Sequence, residues 1–152
     1  MKEYPDLIDV SLENCPLSIK YVPTWYEISK DVILNLIEKN KNVFTYIHKS
    51  LLSNNIFIIE CIEKNPYVIQ YISSPSENMI KKAIDINWMV IEFIHDRFLT
   101  KDIIDYAIKK NIKTINLLSS KSIDKYYDTP VINLFCRSYG EHRIHHNSQS
   151  SL

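Results

Sequence analysis

The feature that most restricts this chain is a short internal repeat. "EKNKNVFTYI" begins at Glu38, and "EKNPYVIQYI" begins 25 positions later at Glu63. "DINWMVIEFI" follows at Asp85 and "KKNIKTINLL" at Lys109, while a fainter copy, "ENCPLSIKYV", starts at Glu13. Five copies at a spacing of 22 to 25 residues describe small units that bury their apolar faces against one another.

With Asn40, Asn65, Asn87 and Asn111 as the zero point (Cys15 in the first copy), the copies align in columns. Eight before zero stand Leu7, Val32, Phe57, Met79 and Ile103, and seven before stand Ile8, Ile33, Ile58, Ile80 and Ile104. Four before are Ser11, Leu36, Cys61, Ala83 and Ala107, and three before are Leu12, Ile37, Ile62, Ile84 and Ile108. Positions −8, −7, −4 and −3 form one stripe of a 3.6-residue helix. Ser29, Asn54, Ser76 and Thr100 stand at −11, where their side chains can accept from the free amides of a first turn. A first helix of about ten residues is expected in each unit.

After zero the apolar pattern resumes in a new phase. The columns at +4 (Ile19, Phe44, Ile69, Ile91, Ile115), +6 (Tyr21, Tyr46, Tyr71, Phe93, Leu117) and +7 (Val22, Ile47, Ile72, Ile94, Leu118) predict a shorter second helix that buries one side. Asn65 ends the first helix and caps the second, with Pro66 at the first helical position, where no amide is needed. Pro16 has the same place in the first unit. Without a proline, Asn40, Asn87 and Asn111 are expected in the left-handed conformation that terminates helices.

The pattern predicts an all-α fold: a right-handed stack of short helix-pair repeats (an α-solenoid) with a C-terminal capping helix. The units span about 4–22, 29–47, 54–72, 76–94 and 100–118. Thr129 and Pro130 open a capping helix over about 129–139, and residues 1–140 form one domain. Residues 141–152, which hold His142, His145 and His146, have no apolar period and are expected to be disordered. "PTWYEISK" (Pro23 to Lys30) is an irregular aromatic insert.

The stretch "SKDVILNLIEKNKNVFTYI" (29–47) resembles the short helical repeat of the DUF4116 family, whose units read roughly D-x-x-h-h-x-A-h-x-x-N-x-x-A-h-x-x-A. "TKDIIDYAIKKNIKTINLL" (100–118) is similar. Asp31, Asn40, Asp102 and Asn111 occupy the matching polar positions, and the resemblance covers about residues 29–118. Tyr46 and Tyr71 depart from it, standing where small residues are common. The resemblance implies tandem helical pairs, often in large DNA viruses and bacteria, and it implies no established activity.

Composition removes several function classes. The chain of 152 residues holds one Gly, so hairpin turns and glycine-rich phosphate loops are disfavoured. Eighteen basic and 18 acidic residues give zero net charge, which disfavours nucleic acid as a partner. Cys15, Cys61 and Cys136 form no CxxC pair and suit a reducing, cytoplasmic compartment. No membrane span and no signal peptide is read, and none of the common catalytic motifs occurs. The expectation is therefore not an enzyme and no cofactor.

His48 and His95 fall at unit junctions and read as polar junction residues, with an acid–base group as the sharper reading. The three tail histidines could hold a transition metal but lack a scaffold, so no metal site is assigned. Glu38, Glu63 and Asp85 read as a solvated face, and Cys61 as a core thiol. Trp25 and Tyr26 in the insert, and Trp88 after the hinge, are binding candidates because exposed aromatics anchor interfaces. Lys109, Lys110 and Lys113, with Lys101, make the fifth unit basic. The expected function is a non-catalytic module that binds a protein partner through one face of the stack. The alternatives are sequestration of a small anionic ligand such as a nucleotide, held by Tyr and Lys side chains, and, more weakly, nucleic-acid binding.

Overall fold

The computed structural model describes residues 5–24, 26–128, 130, 131 and 134. Every element among the described residues is helical. In chain order these are α1 (Pro5–Asn14) with the 3₁₀ helix η1 (Pro16–Tyr21), α2 (Lys30–Lys39) with η2 (Lys41–Tyr46), and a short α3 (Lys49–Leu52). Then come α4 (Asn55–Lys64) with η3 (Pro66–Tyr71), α5 (Glu77–Ile86) with η4 (Trp88–Phe93), and the turn η5 (Asp96–Phe98). The series closes with α6 (Lys101–Lys110), α7 (Thr114–Leu117) and α8 (Ser120–Asp124).

The five long helices α1, α2, α4, α5 and α6 are each ten residues long. Four start where the cap column sets them. Ser29 Oγ accepts from the Val32 amide at 3.3 Å, and Asn54 Oδ1 accepts from the Ile56 amide at 2.9 Å. Ser76 Oγ accepts from the Met79 amide at 3.3 Å, and Thr100 Oγ1 from the Ile103 amide at 3.4 Å. Each such bond satisfies a helix-end donor and is worth about 1 kcal/mol.

The four asparagines occupy equivalent corners. Their φ/ψ values are −152/110 at Asn40, −152/100 at Asn65, −150/107 at Asn87 and −153/118 at Asn111. Each amide closes the first helix at 2.9 Å, onto the carbonyls of Leu36, Cys61, Ala83 and Ala107. Each Oδ1 accepts from the amide two residues on: Asn42 at 2.9 Å, Tyr67 at 3.3 Å, Met89 at 3.0 Å and Lys113 at 3.0 Å. The left-handed conformation expected at Asn40, Asn87 and Asn111 is thus replaced by extended backbone. That geometry aims the side chain at the next helix, so one residue ends the first helix and starts the second with or without a proline.

The second helices also differ from the expectation. In the first four units they are six-residue 3₁₀ helices, and in the fifth the short α7 takes this place. Column +4 is buried throughout: Ile19, Phe44, Ile69, Ile91 and Ile115. Column +6 faces outward instead of inward in three units, with Tyr21, Tyr46 and Phe93 all exposed. The neighbouring +3 column takes its place in the core, with Val43, Val68, Val90 and Thr114 at zero exposure. These compact β-branched side chains lie close to the hinge, where the two helices of a unit meet, and the large rings at the last helical residue lie along the surface.

The stripe of the first helices turns inward in α2, α4, α5 and α6, but in α1 Leu7 at −8 is exposed, with Ser11 at −4 also exposed, and only Leu12 is fully buried. Ile33, Leu36, Ile37, Phe57, Ile58, Cys61, Ile62, Met79, Ile80, Ala83, Ile84, Ile103, Ile104 and Ala107 are buried in one continuous core. Burial of each large aliphatic side chain contributes about 1.5–3 kcal/mol. Alanine at −4 in α5 leaves room for close packing between neighbouring helices. Helix α4 packs on α2 and α5, and α5 on α6, while η1, η2, η3 and η4 pack on one another in sequence.

The uneven repeat length resides in the junctions. Between the second and third units α3 is inserted, and between the fourth and fifth η5, whereas the third and fourth units are joined without a further helix. His48 and His95 open these extra turns: their Nδ1 atoms accept from the amides of Ser50 at 3.3 Å and Arg97 at 3.2 Å. A capping role accounts for both histidines. At the C-terminal end, Tyr126 and Tyr127 pack against the core. Pro130, Val131 and Leu134 are helical, while Thr129, Cys136, the remainder of the expected capping helix and the whole histidine tail lie outside the described residues.

Candidate interaction surface

The hinge geometry decides what the second helices can present. Because +3, +4 and +7 turn inward, +6 emerges at the surface once per unit. Tyr21 is 76% exposed, Tyr46 48% and Phe93 38%, with Tyr71 half-buried between them. Rings from adjacent units meet: Phe44 stacks with Tyr71 at 6.4 Å, and Tyr67 meets Phe93 edge-on at 5.5 Å. Such pairs contribute about 0.5–1.5 kcal/mol beyond their buried area. The Tyr71 hydroxyl donates to Asn42 Oδ1, and Asn87 Nδ2 donates to the Tyr67 hydroxyl at 2.9 Å.

Two lysines lie along the same surface. Lys20 Nζ sits 4.6 Å from the Tyr21 ring centroid, and its pKa is raised chiefly by its hydrogen bond with Tyr21. Lys41 Nζ lies 5.3 Å from the ring of Tyr67 and 5.1 Å from that of Phe93, so one side chain touches both following units. The second helices of the first three units carry no carboxylate at all; Glu92 in η4 is the first. An aromatic and locally cationic surface results on a chain with zero net charge.

The opposite side of the molecule pairs its charges across units. Glu38 binds Lys64 at 3.2 Å, Glu63 binds Lys82 at 2.6 Å, and Asp85 pairs with Lys110. Glu60 reaches back to Lys30 at 2.5 Å. The carboxylates two residues before the hinge are therefore exposed but engaged, each with a lysine of the next first helix. Surface pairs of this kind contribute about 0.2–1 kcal/mol each. The hydrogen bonds from Lys110 and then Tyr106 hold the Asp85 carboxyl below its ordinary value of 3.8.

The sequence candidates are dispersed. Trp25 lies outside the described residues. Tyr26 is half-buried and its hydroxyl donates to Asp9 Oδ1 at 2.5 Å, tying the insert to α1. Trp88 is half-buried at the start of η4, three units further along. Lys109 is exposed, Lys110 is engaged with Asp85 and stands over Tyr106 at 5.4 Å, and the Lys113 amide is held by Asn111. Tyr26, Trp88 and the lysine group thus belong to different units and do not form one site. The apolar register of Tyr21, Tyr46 and Phe93 predicts a core column, whereas the structure turns these rings outward; the β-branched +3 column is the signal for the inward face.

Several recesses open at the surface among the described residues. One of about 830 Å³ lies between α1 and α2. A second of about 320 Å³ lies between η3 and the η4–η5 junction, beside His95 and Arg97. Arg97 is already engaged there, donating to the Ser73 carbonyl at 2.8 Å and resting 4.5 Å from the Phe98 ring. Cys61 is buried, and burial above all pushes its thiol up to about 12, which removes it as a nucleophile near neutral pH. Among the described residues no group of three or more His, Cys, Asp or Glu could hold a metal ion. No described helix is long and apolar enough to cross a membrane.

No curated protein and no solved structure matches the chain. Residues 29–75, which run from the cap of α2 to just past η3, match the family model of a domain of unknown function, DUF4116.

Proposed function

We propose that this chain is a non-catalytic helical-repeat module, a right-handed stack of five helix pairs closed by a C-terminal helix, that docks a protein partner on the face of its second helices. The observation that carries this reading is the surface column of Tyr21, Tyr46 and Phe93, which places one exposed ring on each of three units in the same register. Exposed aromatic side chains at fixed spacing are the residues on which binding energy concentrates. Lys20 and Lys41, with no carboxylate on the first three second helices, favour a partner segment that carries acidic residues. Both described cysteines are free thiols, which fits a reducing, cytoplasmic compartment.

The test is a peptide-display selection on the immobilised protein, repeated with a Tyr21→Ala/Tyr46→Ala/Phe93→Ala variant whose circular dichroism is unchanged. Loss of at least about tenfold in affinity for the selected peptides supports the reading. Undiminished affinity, or measured turnover of any substrate, overturns it. A thermal-shift panel of nucleotides checks the anionic-ligand alternative, for which the recess beside Arg97 is the place. A rise of several degrees with one nucleotide would favour sequestration.

A further inference from the structure

The second helices repeat along the molecule with a spacing of their own. η1 packs on η2, η2 on η3 and η3 on η4, and packed helices lie with their axes about 8–10 Å apart. Each ends in its +6 ring, Tyr21, Tyr46, Tyr71 and Phe93, so a ring recurs at about that 8–10 Å interval. Three of the four are exposed and Tyr71 is half-buried.

That interval selects among chain conformations. An α-helix completes a turn every ~5.4 Å, and a strand returns to the same face every ~6.6 Å, so both fall out of step with the rings. A polyproline II helix turns once in three residues, about 9.3 Å, and brings every third side chain to one face at the spacing of the rings. Aromatic-lined surfaces suit such segments, whose preformed extended chain loses little freedom on binding.

Charge fixes a second property of the partner. Lys20 stands over Tyr21, Lys41 over Tyr67 and Phe93, and Arg97 lines the recess of about 320 Å³ that Tyr71 and Phe93 also line. None of these three cations takes part in an ion pair among the described residues, whereas Lys64, Lys82 and Lys110 on the opposite side each hold a carboxylate. The hydrogen bond from Arg97 to the Ser73 carbonyl uses one of its five donors and leaves the charge unopposed. No carboxylate lines the recess among the described residues.

We infer that this face binds an acidic polyproline II segment of a partner protein, one turn to each unit, with prolines on the rings of Tyr21, Tyr46, Tyr71 and Phe93 and carboxylates on Lys20, Lys41 and Arg97. The inference rests on the docking face proposed above and adds the conformation and sequence pattern of what binds there. Every third residue is proline or another apolar residue, and the adjacent column carries the acids. The recess beside Arg97 takes one side chain of the segment.

The experiment titrates the ¹⁵N-labelled full chain with peptides of two, three, four and five Glu-Pro-Pro triplets. A Lys-Pro-Pro peptide of four triplets and a leucine–glutamate helix of the same length serve as controls. Amide shifts at Tyr21, Tyr46, Tyr71 and Phe93 are expected, with affinity that rises from two triplets to four and levels at five. Both controls bind at least about tenfold more weakly than four Glu-Pro-Pro triplets. Tyr46→Ala weakens binding at least about tenfold. Arg97→Gln, an exposed change that keeps a donor for Ser73, weakens it at least about threefold and stands as the test if Tyr46→Ala folds poorly. No binding, equal binding of either control, affinity independent of triplet number, or affinity unchanged in Arg97→Gln overturns the inference. The docking face itself is judged separately, by whether peptides selected by display depend on Tyr21, Tyr46 and Phe93.

Discussion

Asn65 does two jobs that can be separated by mutation. Its Oδ1 caps η3 through the Tyr67 amide at 3.3 Å, and its Nδ2 donates to the Ile37 carbonyl of the preceding unit at 3.1 Å. Among the described residues Asn40 performs only the first, capping η2 through the Asn42 amide at 2.9 Å. Loss of a cap costs about 1 kcal/mol, and loss of the hydrogen bond between units about another 1 kcal/mol. Asn65→Ala is therefore expected to cost about 2 kcal/mol and Asn40→Ala about 1 kcal/mol. Asn65→Asp keeps the cap acceptor and removes the donor, so it falls between them. For a chain of this length each kcal/mol lowers the melting temperature by about 2–4 °C, which separates the variants in a thermal melt. Urea titrations give the same ranking as shifts of the midpoint. Equal losses for Asn40→Ala and Asn65→Ala would refute the idea that the hinge also fastens neighbouring units.

Further outcomes follow from other sites. The Ser18 hydroxyl is buried without a partner in the column that holds Val43, Val68 and Val90 elsewhere, so Ser18→Val should raise stability by about 1 kcal/mol, read from the urea midpoint. Ile62→Ala opens a cavity at a residue with zero exposure and should cost about 2–5 kcal/mol, the largest loss of the set in the same titration. Exposed Cys15 should react readily with a thiol reagent at pH 8, whereas Cys61, its thiol pushed up to about 12, should stay protected until the chain unfolds, as resolved by mass spectrometry. Asp85 titrates below its ordinary 3.8 in the folded chain, so its contribution is present above the ordinary value and disappears as pH falls through the lowered one. Stability measured below about pH 4 should therefore fall less steeply in Asp85→Asn than in the wild type.

Much of the fold was legible because its signals are local. Cap residues at −11, the apolar stripe at −8, −7, −4 and −3, and Asn before a phase change depend on neighbours within a turn or two, and from the second unit onward the structure uses each at its own position, whereas Leu7 in the first unit lies exposed. The second helix was less legible. Six residues cannot distinguish three residues per turn from 3.6, so the 3₁₀ geometry and the outward turn of Tyr21, Tyr46 and Phe93 were hidden. Proline predicts two classes of hinge, yet the extended conformation of Asn40, Asn65, Asn87 and Asn111 is common to all, because the carboxamide cap does not need proline. The cross-unit pairs of Glu38, Glu63 and Asp85 depend on which helices adjoin, which no single segment encodes. For the same reason the recess between α1 and α2 emerges only in three dimensions.

The central claim is that successive helix pairs lie against one another in the same register. A NOESY spectrum of the isotopically labelled chain tests it most directly. Cross-peaks from the Asn65 side-chain amide to Ile37, from the Tyr67 ring to Phe93 and from the Tyr106 ring to Asp85 are expected, all within one molecule. Their absence in a folded, helical sample, or their appearance only between differently labelled copies, would contradict it.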